Sequence, residues 1–121
     1  MKVLIVDDDD SILDFMVKVV EGYQGESFEV LKAKDGPEAM VLYQKYRPKL
    51  LFIDMIMPQM HGLDLIRKIK AENDEKINIW AITGYEDNAI LEEVEKVPII
   101  VKPFDVEDVE IVLDAIASER Q

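Results

Sequence analysis

Four short apolar runs divide the chain, and each stops abruptly at a polar residue. Val3–Val6 ends at Asp7–Asp10, Leu50–Ile53 at Asp54, the run over 77–82 at Thr83 and Gly84, and the run over 97–101 at Lys102 and Pro103. Runs of this length cannot span a membrane. They lack the alternation of a half-exposed strand and fit strands buried on both faces. A fifth, weaker run carries Phe28, Val30 and Leu31. The predicted strands are therefore 2–7, 28–33, 50–54, 77–82 and 97–101.

Between them the apolar period lengthens from continuous to helical. Ile12, Phe15, Met16, Val19 and Val20 mark a helix over 11–22, with Ser11 as the N-cap candidate and Asp14 three residues on. Asp35-Gly36-Pro37 is turn chemistry with proline in a first helical turn, and Ala39, Met40, Leu42 and Tyr43 stripe a helix over 37–46 that ends at Arg47-Pro48. Gly62 opens a third helix striped by Leu63, Leu65, Ile66 and Ile69, which runs out in the polar residues 72–76. Residues 86–96 read as a very acidic helix with only Ile90, Leu91 and Val94 apolar. Asp105 caps a last helix over 106–118, with Val106, Val109, Val112, Leu113, Ile116 and Ala117 facing inward. Five near-continuous strands alternating with five helices predict an α/β fold, a parallel sheet with helices on both faces. Ligands of such sheets bind beyond the carboxyl ends of the strands.

A chain of 121 residues is one domain by length and can bury a core without staples. It has no cysteine, which removes disulfides and thiolate chemistry and suits a reducing compartment. The amino terminus lacks the apolar length of a signal peptide, so the expected location is the cytoplasm. Net charge is −12, from 14 basic and 26 acidic residues. That argues against direct nucleic-acid binding, which neutralises phosphates with Lys and Arg. It suits a basic partner surface or bound cations.

The strand ends carry the candidate chemistry: Asp7 and Asp8, then Asp54, then Thr83 with Gly84, then Lys102. Parallel strands bring these residues to one rim. Converging carboxylates repel, and a hard divalent cation resolves the conflict. A cation, an ammonium and a hydroxyl around one carboxylate are what carboxylate attack on a phosphoryl group requires.

Four motifs, IVDDD at 5–9, IDMIMPQMHG at 53–62, ITG at 82–84 and VKPF at 101–104, occur in the order and spacing of a known family. Over its whole length the chain resembles the receiver domain of two-component response regulators. The resemblance implies a single receiver domain over 1–121 with a flavodoxin-like doubly wound sheet in strand order 2-1-3-4-5. It implies that Asp54 accepts a phosphoryl group from a sensor histidine kinase or a histidine phosphotransfer protein. By the same resemblance Asp7, Asp8, Asp54 and the Ile56 carbonyl hold Mg²⁺ (or Mn²⁺), Thr83 and Lys102 contact the phosphoryl oxygens, and the Lys102–Pro103 bond is cis. It implies a phosphoacceptor rather than a turnover enzyme. Output would pass to a downstream protein partner through the surface of segments 86–96, 97–101 and 106–118, with no membrane insertion.

Haloacid-dehalogenase-like phosphatases also use a strand-end aspartate, but carry a second aspartate two residues later, where this chain has Ile56. A binding module that kept the fold without phosphorylation would not need every pocket residue. Asp9 and Asp10 are assigned to the dipole of the following helix. His61 is read as a loop or capping residue, Met55, Met57 and Met60 as loop and rim packing, and Trp80 as core. The family usually has an aromatic residue three positions before the strand-five lysine, and here that position is Ile99. The segment from Thr83 to Lys102 is also short, with Pro98 where Gly-Ala is customary. The usual threonine–aromatic switch therefore lacks its aromatic, and Tyr85 is a candidate substitute.

Overall fold

The computed structural model describes residues 1–57, 60–72, 77–84 and 96–119. Its elements are β1 (Lys2–Val6), α1 (Asp10–Glu21), β2 (Glu29–Ala33), α2 (Gly36–Tyr46), β3 (Leu50–Asp54), α3 (Gly62–Ala71), β4 (Asn78–Thr83), β5 (Ile99–Val101) and α4 (Val106–Glu119). The strands form one sheet in the order β2-β1-β3-β4-β5, and every pairing is parallel. The predicted architecture is present, with four helices among the described residues. The helix predicted over 86–96 falls almost wholly outside them, as does Tyr85.

Alternation along the strands assigns the two faces. Leu4, Val6, Leu51, Ile53, Ile79 and Ala81 pack with Ala39 and Tyr43 of α2 and Leu65, Ile66 and Ile69 of α3. Val3, Ile5, Leu50, Phe52 and Ile82 pack with Leu13, Met16 and Val20 of α1 and Val109, Val112, Leu113 and Ile116 of α4. Both faces of β3 are covered, so all of its residues are buried, Asp54 at its end included.

Local differences from the sequence reading have local causes. The cap of α1 is Asp9, not Ser11: the Asp9 carboxylate accepts from the Ser11 and Ile12 amides at 2.8 and 3.3 Å. The chain turns one step after Asp8, so the earlier of two competent caps is used. Leu13 is buried on α1, a position outside the predicted stripe. Val106 is exposed, since it stands at the first position of α4 before that helix reaches the sheet. Asp105 does cap α4, in a reciprocal pair of backbone-to-carboxylate bonds with Asp108 at 2.9 and 3.1 Å. β5 spans only Ile99–Val101. Pro98 accepts from Ala81 N at 3.0 Å through its carbonyl but has no N–H to extend the ladder. Trp80 is half-buried beside the α1–α4 core, and Met55 is a full core residue at 0% exposure.

Candidate functional site

β1 and β3 end side by side in register, with Val6 opposite Ile53. The next residues along are Asp7 and Asp54, so two carboxylates meet at the centre of the sheet. β4 adds Thr83, which pairs with Val101 of β5. The Lys102 amide then donates to the Thr83 carbonyl at 2.9 Å. Parallel register thus delivers residues distant in sequence to one rim. They line a cavity of about 580 Å³ with Asp7, Asp8, Asp9, Asp54, Ile56, Thr83, Gly84 and Lys102 in its wall.

Burial sorts these groups. Asp7, Asp54 and Thr83 are 0%, 4% and 4% exposed, the buried polar residues of the described chain. Asp8 is exposed. Lys102 Nζ donates to Asp54 Oδ1 at 3.2 Å, and the Ile56 amide approaches the same oxygen at 3.4 Å. The Asp9 amide donates to Asp7 Oδ1 at 2.9 Å. Asp7 Oδ2 is buried with no hydrogen-bond partner among the described residues. The carboxylates of Asp7, Asp8 and Asp54 can place oxygens within 4.8 Å of one another.

The electrostatics follow. Burial pushes the Asp7 carboxyl up from 3.8 to about 6, against the Asp9 amide and Lys102, with Asp54 and Asp8 adding repulsion. Burial also raises Asp54 above the usual carboxylate value, opposed by the Lys102 charge and hydrogen bond. Three carboxylates with oxygens in reach of one another, and a buried Asp7 oxygen left without a hydrogen bond, form a donor set suited to a hard divalent cation. Gly84 flanks Thr83, and no atom of the described residues lies within 4 Å of where its Cβ would stand. The Lys102–Pro103 peptide is cis.

This geometry has relatives. The response regulator receiver domain family matches residues 3–114. The chain belongs to that family. Receiver domains are phosphorylated by histidine kinases in two-component signalling. Sporulation initiation phosphotransferase F of Bacillus subtilis is 29% identical over 111 residues, which cover 89% of this chain and 86% of that protein. DNA-binding response regulator MtrA of Mycolicibacterium smegmatis is 31% identical over 86 residues, 71% of this chain but 36% of MtrA. The alignment to MtrA thus takes in little more than a third of its length. Among solved structures, chemotaxis protein CheY4 of Vibrio cholerae superposes with a TM-score of 0.83 at 28% identity, covering 95% of this chain and 97% of that one.

Within this receiver domain, Asp7, Asp8, Asp54, Ile56, Thr83 and Lys102 all reach the one cavity. Ile99 does not: it lies half-buried in β5 opposite Ala81, packed against the α2–α3 core. Tyr85 lies outside the described residues. His61 is the N-cap of α3, its Nδ1 accepting from the Leu63 amide at 3.1 Å. The sequence places Asp9 only at the helix dipole. Its backbone amide also holds Asp7, a role invisible in sequence because any residue supplies an amide. No helix among the described residues is long and apolar enough to cross a membrane.

Proposed function

We propose that Asp54 is the phosphoacceptor of a single receiver domain spanning 1–121, and that its reaction depends on Mg²⁺ or Mn²⁺. The observation that carries this reading is a buried strand-end carboxylate bonded to Lys102 in a cavity shared with Asp7, Asp8 and Thr83. Oδ1 holds the Lys102 and Ile56 contacts, so we assign the attack to Oδ2. An Oδ2 lone pair forms the new O–P bond as the P–N bond to the donor histidine breaks, and the bond electrons leave with the imidazole. The Lys102 ammonium neutralises charge on the arriving phosphoryl oxygens, and the Thr83 hydroxyl donates a hydrogen bond to one of them. Asp7, Asp8, Asp54 and the Ile56 carbonyl would hold the metal, which supplies charge neutralisation at the phosphoryl group. Two residues after Asp54 stands Ile56, 67% exposed, so that position provides no proton donor for a phosphatase cycle. This favours a stoichiometric acceptor over a turnover enzyme.

The donor is a histidine kinase or histidine phosphotransfer protein in the cytoplasm, and the net charge of −12 supports a mode of action without direct nucleic-acid contact. Phosphorylation biases the surface of segment 86–96, β5 and α4 toward a protein partner, through Thr83 and without an aromatic at position 99. Incubation with acetyl phosphate and Mg²⁺ should label the parent protein, and Asp54→Asn should abolish the label. Equal labelling of the variant would remove Asp54 from the role.

A further inference from the structure

Gly62 occupies the first position of α3 without any conformational need for glycine. No glycine of the described chain has positive φ, so the backbone there is one that any residue could adopt. What the position requires is space. A Cβ there would collide with the Asp54 carbonyl oxygen, and would stand 2.5 Å from Met55 Cε and 2.7 Å from Met55 Cα. Two of those atoms are backbone, so no rotamer change relieves the conflict. The Gly62 amide also donates to the Met55 carbonyl at 2.9 Å.

The Asp54–Met55 peptide, whose carbonyl oxygen faces Gly62, is also held from its amide side. The Met55 amide donates to the Ile82 carbonyl at 3.1 Å, and the Met55 side chain is 0% exposed in the core. The Asp54–Met55 peptide is therefore clamped between the end of β4 and the first turn of α3. It carries the Asp54 carboxylate on one side and leads directly to Ile56 on the other. Any retreat of α3 from this seat moves both.

We propose that Gly62 is a positioning residue for phosphoryl transfer: its missing side chain lets α3 press the Asp54–Met55 peptide into the place where Asp54 faces Asp7, Asp8 and Lys102. This rests on the reading of Asp54 as the phosphoacceptor. The full chain, as parent, Gly62→Ala and Ile69→Val, is compared by acetyl phosphate labelling at saturating Mg²⁺ and donor, with the rate expressed per folded molecule. Ile69 is buried on the same helix and controls for lost stability alone. Gly62→Ala should label about 10²-fold more slowly, as expected for displacement of a reacting group by about 1 Å. Ile69→Val should match the parent. Parent-like labelling of folded Gly62→Ala overturns the proposal, as does equal slowing in Ile69→Val. An unlabelled parent overturns the Asp54 reading instead.

If Gly62→Ala does not fold, amide exchange in the parent decides. Coupling between seat and site is reciprocal. Adding Mg²⁺ and beryllofluoride should then slow exchange of the Gly62 amide by about tenfold, within the ordinary range of such couplings. An unchanged Gly62 amide overturns the proposal.

Discussion

Replacing Asp7 by asparagine should stabilise the metal-free protein while disabling the proposed cation site. Asp7 is 0% exposed, and its carboxyl is raised from 3.8 to about 6, chiefly by burial. A folded-state value above the unfolded one means that the folded chain holds the proton more tightly. Ionising Asp7 at neutral pH therefore costs the folded state up to about 3 kcal/mol, from about 2 units at 1.36 kcal/mol each. Asparagine keeps an oxygen for the Asp9 amide, bonded at 2.9 Å in the parent, and removes the charge facing Asp54 and Asp8. Its amide still lacks a partner for one end, so the expected gain is about 1–3 kcal/mol. For a chain of this size that is a rise in melting temperature of roughly 4–12 °C.

The assay is urea or thermal unfolding of parent and Asp7→Asn in EDTA across pH. The advantage of the variant is full above about pH 6 and fades as pH falls through the interval from 6 to 3.8, where the parent carboxyl becomes neutral. Mg²⁺ at neutral pH should raise the parent toward or past the variant and leave the variant nearly unchanged. If Asp7→Asn is less stable than the parent in EDTA at pH 7, or its advantage persists unchanged at pH 4, the account of a charge-burdened rim is wrong.

Other outcomes follow from the same contacts. Lys102→Met removes the ammonium at 3.2 Å from Asp54; Asp54 should rise further in pKa, and acetyl phosphate labelling should fall by about 10²–10³-fold, the usual loss when a stabilising donor is removed. Asp9→Ala deletes the α1 cap but keeps the backbone amide that holds Asp7, so urea unfolding should show a loss of about 1 kcal/mol with Mg²⁺ affinity little changed. Gly84→Ala adds a methyl group where no atom of the described residues lies within 4 Å, at a φ open to any residue; stability should stay within about 0.5 kcal/mol of the parent in the same unfolding assay.

The sheet was readable because Leu50–Ile53 and Val3–Val6 are continuous apolar runs, which only a strand covered on both faces accommodates. The rim was readable because each run stops at a residue with chemistry. Strand order was not in the periodicity; it came with the motif resemblance, and the pairing of β1 with both β2 and β3 agrees with it. What escaped was whatever depends on backbone rather than side chain. Asp9 displaced Ser11 as cap because neighbouring cap-competent residues leave the choice to the turn after β1. The Asp9 amide on Asp7 and the close approach of Gly62 to Asp54 leave no trace in a pattern of apolar and polar positions. β5 came out shorter than its apolar run because Pro98 cannot donate.

The central claim is that one carboxylate, Asp54, receives the phosphoryl group with help from a cation. Borohydride reduces an aspartyl phosphate to homoserine, so peptide mass mapping after incubation with acetyl phosphate and reduction locates the acceptor. Homoserine at position 54 in Mg²⁺, and its absence in EDTA, is the predicted result. Homoserine at Asp7 or Asp8, or label at position 54 that is indifferent to EDTA, would contradict the account.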